Sequence, residues 1–292
     1  MFGKNEIVGQ RYFKEAPVDQ LFVTSMFMTL QGEGPFRGEP AFFIRLAKCN
    51  LACSFCDTFF DDGDWLTFDE IEKRVESTID NFYAGQMLDR PDWTKHTNSA
   101  KKRMVLVITG GEPTLQKNLG PFLSRMSNVF QHTQIESNGI IHQPSIPSST
   151  TIVISPKCLE ENSVAVRYIK PNLDNLKVAS CLKFVMSADA NSPYSDIPDW
   201  AHQWAKETGK PVFISPMNVY NSEPKKSKEI RNSGKNRIEL EERSSVDEVI
   251  SFWEEGLLDM SENQKNHEYA AKFCVKNGYI LNLQIHLYAS LA

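Results

Sequence analysis

The run Met104-Val-Leu-Val-Ile108 constrains the fold more than any other stretch, because it leaves a strand no face for solvent. A strand apolar on both faces belongs inside a parallel sheet, whose neighbours are joined by crossover connections. It delivers Thr109-Gly110-Gly111-Glu112-Pro113, a turn, and then a helical pattern over Leu115–Val129. The unit recurs. Thr133-Gln-Ile-Glu136 enters Ser137-Asn138-Gly139, Thr151-Ile-Val-Ile154 enters Ser155-Pro156-Lys157, and Pro211-Val-Phe-Ile214 enters Ser215-Pro216. The spacing predicts an α/β fold with core strands at 41–47, 104–108, 133–136, 151–154, 181–186 and 211–214. Polar or Gly/Pro motifs stand at several carboxyl ends, where parallel folds carry their sites.

Further strands are expected at Leu21–Leu30 and in the alternating tail Tyr279–Tyr288. Thr67-x-x-Glu70 is a capping box for a helix running to about Met87. A helix over Ser195–Thr208 closes at Gly209, and capping boxes Ser245-x-x-Glu248 and Ser261-x-x-Gln264 open two more, the last ending at Gly278. The 292 residues are read as one domain, 1–292, with a polar arm at 1–19 and surface insertions at 88–103 and 221–243.

Hydrophobic residues at 41% and charged residues at 24% describe a globular chain able to bury a sizeable core. The formal net charge of −5 gives no electrostatic footprint for a nucleic-acid partner. No apolar run is long enough to span a bilayer, and the first residues lack the apolar centre of a signal peptide. A cytoplasmic protein with free thiols is expected despite six cysteines.

Three of those cysteines, Cys49, Cys53 and Cys56, lie together as C-x3-C-x2-C after the strand 41–47. Thiolates are soft ligands, and three on a four-iron cluster would leave one iron open. Half of a split zinc site, or small buried hydrophobes, would give the same spacing. Arg45 interrupts an apolar strand and needs a carboxylate, from protein or ligand, unless it lies exposed at the strand end. Gln31-Gly32-Glu33-Gly34-Pro35 is either a loop built for close approach of a ligand or a plain turn.

C-x3-C-x2-C followed by Gly-Gly-Glu-Pro resembles the radical S-adenosylmethionine (SAM) enzymes. Thr29-Leu30-Gln31-Gly32-Glu33-Gly34, Phe43-Ile-Arg45-Leu, Cys-Asp57-Thr58 and the tail Leu283-Gln284-x-His286 are similar, more narrowly, to the 7-carboxy-7-deazaguanine synthases of the queuosine and deazapurine pathway. The resemblance implies a radical SAM core, a partial (β/α) barrel of about six parallel strands. It also implies a carbon–nitrogen lyase that contracts 6-carboxy-5,6,7,8-tetrahydropterin with loss of ammonia, regenerating SAM. A 4Fe–4S cluster would be held by Cys49, Cys53 and Cys56, and Mg2+ by Thr58. Phe55, Gly110, Gly111, Glu112, Ser137, Ser155, Pro156, Lys157, Ser215 and Pro216 would surround SAM. Leu30, Gln31, Gly32, Glu33, Arg45, Thr109 and His286 would contact the pterin. A flavodoxin- or ferredoxin-type reductant and a homodimer are further implications.

Four positions depart from the family's pattern: Lys48 stands where Gly precedes the first cysteine, Ser215 where Gln is frequent, and Ile285 and Leu287 where the tail has Thr and Lys. A glycyl-radical-enzyme activase shares the cysteine spacing but has no use for Gln31, Glu33 and Arg45 together. A zinc-stabilised binding module leaves the Gly-Gly-Glu-Pro turn unexplained.

Overall fold

The structure, a computed structural model, describes residues 6–56, 58–221 and 251–291. One sheet of nine strands runs, from edge to edge, β11 (Ile280–Leu281), β10 (Val212–Pro216), β9 (Cys181–Met186), β6 (Thr151–Ile154), β5 (Phe130–Ser137), β4 (Lys102–Gly110), β2 (Pro40–Leu46), β1 (Gln20–Leu30) and β3 (Asp64–Thr67). From β2 to β11 all neighbours are parallel. β1 lies antiparallel to β2 and β3 antiparallel to β1. Every core strand read from the sequence occurs, and β11 adds one more parallel strand at the edge.

Strand side chains alternate between faces, and the two faces differ. On one, Phe42, Ile44, Leu46, Leu106, Ile108, Ile135, Ile154, Leu182, Phe184 and Ile214 form a continuous buried core. Helices α1 (Phe68–Gly85), α2 (Leu119–Met126), α3 (Leu173–Val178), α4 (Asp199–Thr208) and α5 (Met260–Asn277) cover it through Ile71, Phe122, Leu176, Trp204 and Ala270. Each large side chain so buried contributes about 1.5–3 kcal/mol. The opposite face starts apolar near the amino ends of the parallel strands, with Ala41, Val105 and Val107, and with Val153, Cys181 and Phe213. Towards the carboxyl ends it turns polar, with Arg45, Thr109, Glu136, Lys183 and Ser215.

Local signals explain most boundaries. Thr67 and Glu70 form the capping box of α1, and Gly209 and Gly278 close α4 and α5 in left-handed geometry. Four expectations need correction. The helix expected over Leu115–Val129 begins only at Leu119, because the Gln116 amide is committed to the backbone of Phe22, accepting at 2.8 Å and donating at 2.9 Å. α5 is capped by Asp259, whose Oδ1 accepts from Glu262 N, and not by Ser261. The tail stops being a strand after Leu281 and ends in a short helix, α6 (Ile285–Tyr288). Its Asn282 turns inward, Oδ1 accepting from Gly34 N at 2.9 Å and Nδ2 donating to Ser215 Oγ at 2.8 Å. Residues 6–19 of the expected polar arm pack on the body: Val8, Phe13 and Ala16 are buried with Leu115 and Ile141, and Val8 N donates to Cys49 O at 2.9 Å.

Residues 95–101 carry exposed side chains, but Lys102 at the end of that insertion is fully buried, its ammonium on Glu76 and on Thr94 O. Residues 222–243 of the second insertion and the box at Ser245–Glu248 lie outside the described residues. Among the described residues no helix is long and apolar enough to cross a membrane.

Candidate active site

The polar half of the sheet's second face opens into one cavity. Of the residues singled out from the sequence, all line it except Leu30, Gly32 and Pro156. Gly32 takes part from behind: a Cβ there would stand 2.3 Å from His286 Nδ1, so glycine lets the His286 ring lie on this loop where a larger residue would push it away. Pro156 is buried outside the lining. Asp57, beside Thr58, lies outside the described residues.

The cysteine loop and the Gly-Gly turn are built against each other. Gly111 N donates to Leu46 O and Glu112 N to Lys48 O, both at 2.8 Å. A Cβ on Gly111 would stand 1.9 Å from Lys48 O, and Gly110 has φ +112° with the Leu46 backbone 2.4 Å from where its Cβ would be, which explains both glycines. Lys48 has φ +71°, the left-handed region that favours glycine. Its ammonium is tied to Glu6 and Asp61, at 3.2 and 3.6 Å.

Glu112 is 1% exposed and fully occupied. Oε1 accepts from Thr114 N, Thr114 Oγ1 and Ser137 Oγ; Oε2 accepts from Asn138 N at 2.8 Å. It therefore holds the turn and the end of β5 together. Asn138 continues the link to Asn50 Oδ1, inside the cysteine loop, at 2.8 Å.

Cys49, Cys53 and Cys56 all line the cavity. Burial pushes the Cys49 thiol up, and that of Cys53 up to about 11, so a positive centre is what would hold them as thiolates. Among the described residues no three Cys, His, Asp or Glu side chains gather to hold one metal ion. Three soft donors without a fourth cysteine on the lining suit an iron–sulfur cluster with an open iron. They suit a structural zinc, which takes four ligands, less well.

Deeper in the cavity Lys183 lies between two carboxylates, paired with Glu33 and, at 2.6 Å, with Glu136. Burial works against its charge, yet the two carboxylates hold its ammonium well above the ordinary lysine range. Burial alone would raise Glu136; Lys183 outweighs it and holds the carboxyl below its usual range. Gln31 and Gln134 donate to Glu136 Oε1 at 3.3 and 3.2 Å. Lys157, whose pKa burial lowers, folds onto Ser155, donating to O at 2.8 Å and Oγ at 2.7 Å. Arg45 stacks over the Phe27 ring at 4.8 Å and, among the described residues, has no carboxylate partner.

Glu136, Lys183 and Asn282 were missed from the sequence. Lys183 carries the signal that singled out Arg45, a charge in an apolar strand, whereas Glu136 stands in the polar run Phe130-Gln-His-Thr-Gln-Ile-Glu136 and carries none. Asn282 carries none, because its role depends on where β11 docks.

No family model matches the chain. Over 291 residues, 100% of this chain and 96% of the relative, it is 30% identical to a 7-carboxy-7-deazaguanine synthase from Rickettsia prowazekii (strain Madrid E). It is 29% identical over 230 residues, 75% of this chain and 83% of the relative, to the synthase of that name from Rhodospirillum rubrum. A crystal structure of QueE from Escherichia coli shares the fold, with a TM-score of 0.51 and 18% identity, covering 94% of this chain and 98% of that one. The chain belongs to the 7-carboxy-7-deazaguanine synthase family, within the radical SAM enzymes.

Proposed function

We propose that the chain converts 6-carboxy-5,6,7,8-tetrahydropterin to 7-carboxy-7-deazaguanine, with loss of ammonia. The observation that carries this reading is Arg45: a guanidinium without a carboxylate partner, in the same cavity as the three thiols and the Gly-Gly-Glu-Pro turn. A half-buried cation of that kind calls for an anionic partner, and the substrate's carboxylate is one.

Cys49, Cys53 and Cys56 would hold the 4Fe–4S cluster and Thr58 the Mg2+. When bound, cluster and SAM supply a hydrogen-abstracting radical, which is the cofactor's chemistry and not the chain's. The protein's part is placement. Arg45 anchors one end of the substrate, and Phe27 keeps the guanidinium in plane. Gln31 and Glu33, fixed by Lys183 and Glu136, present a polar wall to the pterin ring, with Thr109 beside it. Gly110, Gly111, Ser137, Ser155, Lys157, Ser215 and Pro216 form the SAM side, with Phe55 near its adenine. Glu112 keeps that side rigid from beneath. His286, laid on Gly32, covers the pterin and excludes water. Leu30, Gly32 and Pro156 act through their backbone positions.

The rest of the reading concerns the whole molecule. The sheet curves into a partial barrel of about six parallel strands, and residues 1–292 form one radical SAM domain. The enzyme is cytoplasmic, works as a homodimer, and draws electrons from a flavodoxin- or ferredoxin-type protein.

The test is anaerobic turnover. Reconstituted protein with SAM, Mg2+, a reductant and 6-carboxytetrahydropterin should yield 7-carboxy-7-deazaguanine by mass spectrometry, many equivalents per SAM. Cleaved SAM without that product would overturn the substrate assignment and keep the radical chemistry.

A further inference from the structure

Between Lys157 and Tyr168 the chain leaves the main sheet as a separate hairpin, β7 (Cys158–Glu161) and β8 (Val164–Tyr168), whose turn residues Asn162 and Ser163 have φ +51° and +65°. Positive φ at both central positions is the mirror-image turn that matches strand twist. A lone two-stranded hairpin is marginal in water, so this one needs external anchors. It has them on the cysteine loop. Ser54, between the second and third cysteines, donates its N–H to both oxygens of Glu160, at 2.8 and 3.0 Å, and its hydroxyl to Oε1 at 3.2 Å. The next residue, Phe55, meets the Tyr194 ring edge-on with centroids 5.1 Å apart. Tyr194 Oη accepts from Cys158 N at 2.9 Å, and its ring also packs on Tyr168 at the far end of the hairpin.

Glu160 does not line the cavity. We propose that it is a positioning residue: the hairpin grips the loop Cys53-Ser54-Phe55-Cys56 through Glu160 and Tyr194 and fixes the thiols in the arrangement that takes up the cluster. Nothing else in the described structure hydrogen-bonds Ser54 N, and hydrogen bonds to a carboxylate are among the stronger ones. The carboxylate also adds one negative charge beside the cluster loop, and charge and hydrogen bonding near a cluster set its potential. The proposal rests on reading residues 49–56 as the cluster loop.

Two measurements on the full-length chain test it. In the apoprotein, Glu160→Ala should speed amide hydrogen exchange across residues 49–56 about tenfold, as expected for losing a charge-assisted hydrogen bond, and leave the core strands as protected as before. In the anaerobically reconstituted protein, Glu160→Ala should lose iron to a chelator about tenfold faster and change the cluster's electron paramagnetic resonance signal. Glu160→Gln, which keeps one acceptor and drops the charge, should restore most of the iron retention and raise the reduction potential. Loop exchange and iron loss unchanged in Glu160→Ala would overturn the proposal. So would Glu160→Gln behaving like Glu160→Ala in both. If the parent takes up no iron and sulfide, the cluster reading fails, and the exchange experiment still decides whether Glu160 holds the loop.

Discussion

Lys183 and Phe184 are neighbours on β9 and face opposite worlds. Phe184 is fully buried in the helix-covered core. Lys183 projects to the other face and pairs with Glu33 and Glu136 in the cavity that Gln31 and Arg45 also line. The comparison extends along the sheet: Leu46 against Arg45, Ile135 against Glu136, Ile214 against Ser215. One face supplies the stability that lets the other keep charged groups away from water. The polar face is specified by pairing, and a change there leaves a partner behind. The apolar face is specified by shape, and a change there leaves a hole.

The sharpest way to break that contrast is Lys183→Met. It strands Glu33 and Glu136 without their cation, and losing one partner of a buried ion pair costs about 3–5 kcal/mol. Denaturant unfolding should show that loss at pH 7. The pH dependence should also change sign. In the parent, Glu136 titrates low when folded, so its contribution is complete above the ordinary value of 4.5 and is lost as pH falls through the lowered one. In Lys183→Met burial, the largest influence, is opposed by the Gln31 hydrogen bond and the Lys157 charge and raises the carboxyl, so acidification from neutral pH should recover part of the stability. A variant as stable as the parent would mean the triad is not what holds this face.

Phe184→Ala, one residue on, should cost a similar or slightly smaller amount, about 3–4 kcal/mol, through the cavity it leaves. Its signature should differ: a lower unfolding midpoint, no new pH dependence, and unchanged substrate KM in the folded fraction. A changed KM would show that the two faces are not separable.

Lys48→Gly should have the smallest effect, at the join between face and loop. Glycine relieves left-handed strain of about 1–2 kcal/mol. The lost contacts to Glu6, whose side chain is 70% exposed, and to Asp61 offset most of it. A midpoint within a few degrees of the parent is expected; a larger fall would mean that Lys48 fastens the preceding segment to the cysteine loop.

Most of the sheet was legible because its strands carry their own signal, a run of apolar residues closed by a polar or Gly/Pro turn. The cavity was legible where chemistry is written locally, in three spaced thiols, a Gly-Gly turn and one charge in an apolar strand. Lys183 carried that last signal and Glu136, in a polar strand, did not; which charges meet is set by strand order, with β6 between β5 and β9. The segment before β1 hid its packing because Val8, Phe13 and Ala16 are spread among polar residues and pack as a satellite cluster. The tail hid its break for a related reason. Alternation through Ile280-Leu-Asn-Leu fits a strand, but Asn282 finds Gly34 and Ser215, and the ladder ends there. The hairpin after Lys157 had no place in a reading of core strands, because its anchors are on a loop a hundred residues earlier in the chain.

The most direct measurement pairs the parent with Arg45→Ala. Both would be reconstituted to equal iron content, given SAM, Mg2+, reductant and 6-carboxytetrahydropterin, and assayed for 7-carboxy-7-deazaguanine. Removing the anchor of a buried carboxylate costs about 2–5 kcal/mol, so kcat/KM should fall on the order of a hundredfold while the cluster's spectrum stays the same. Equal turnover by the two would contradict the account, because the polar face would then not be where the substrate binds.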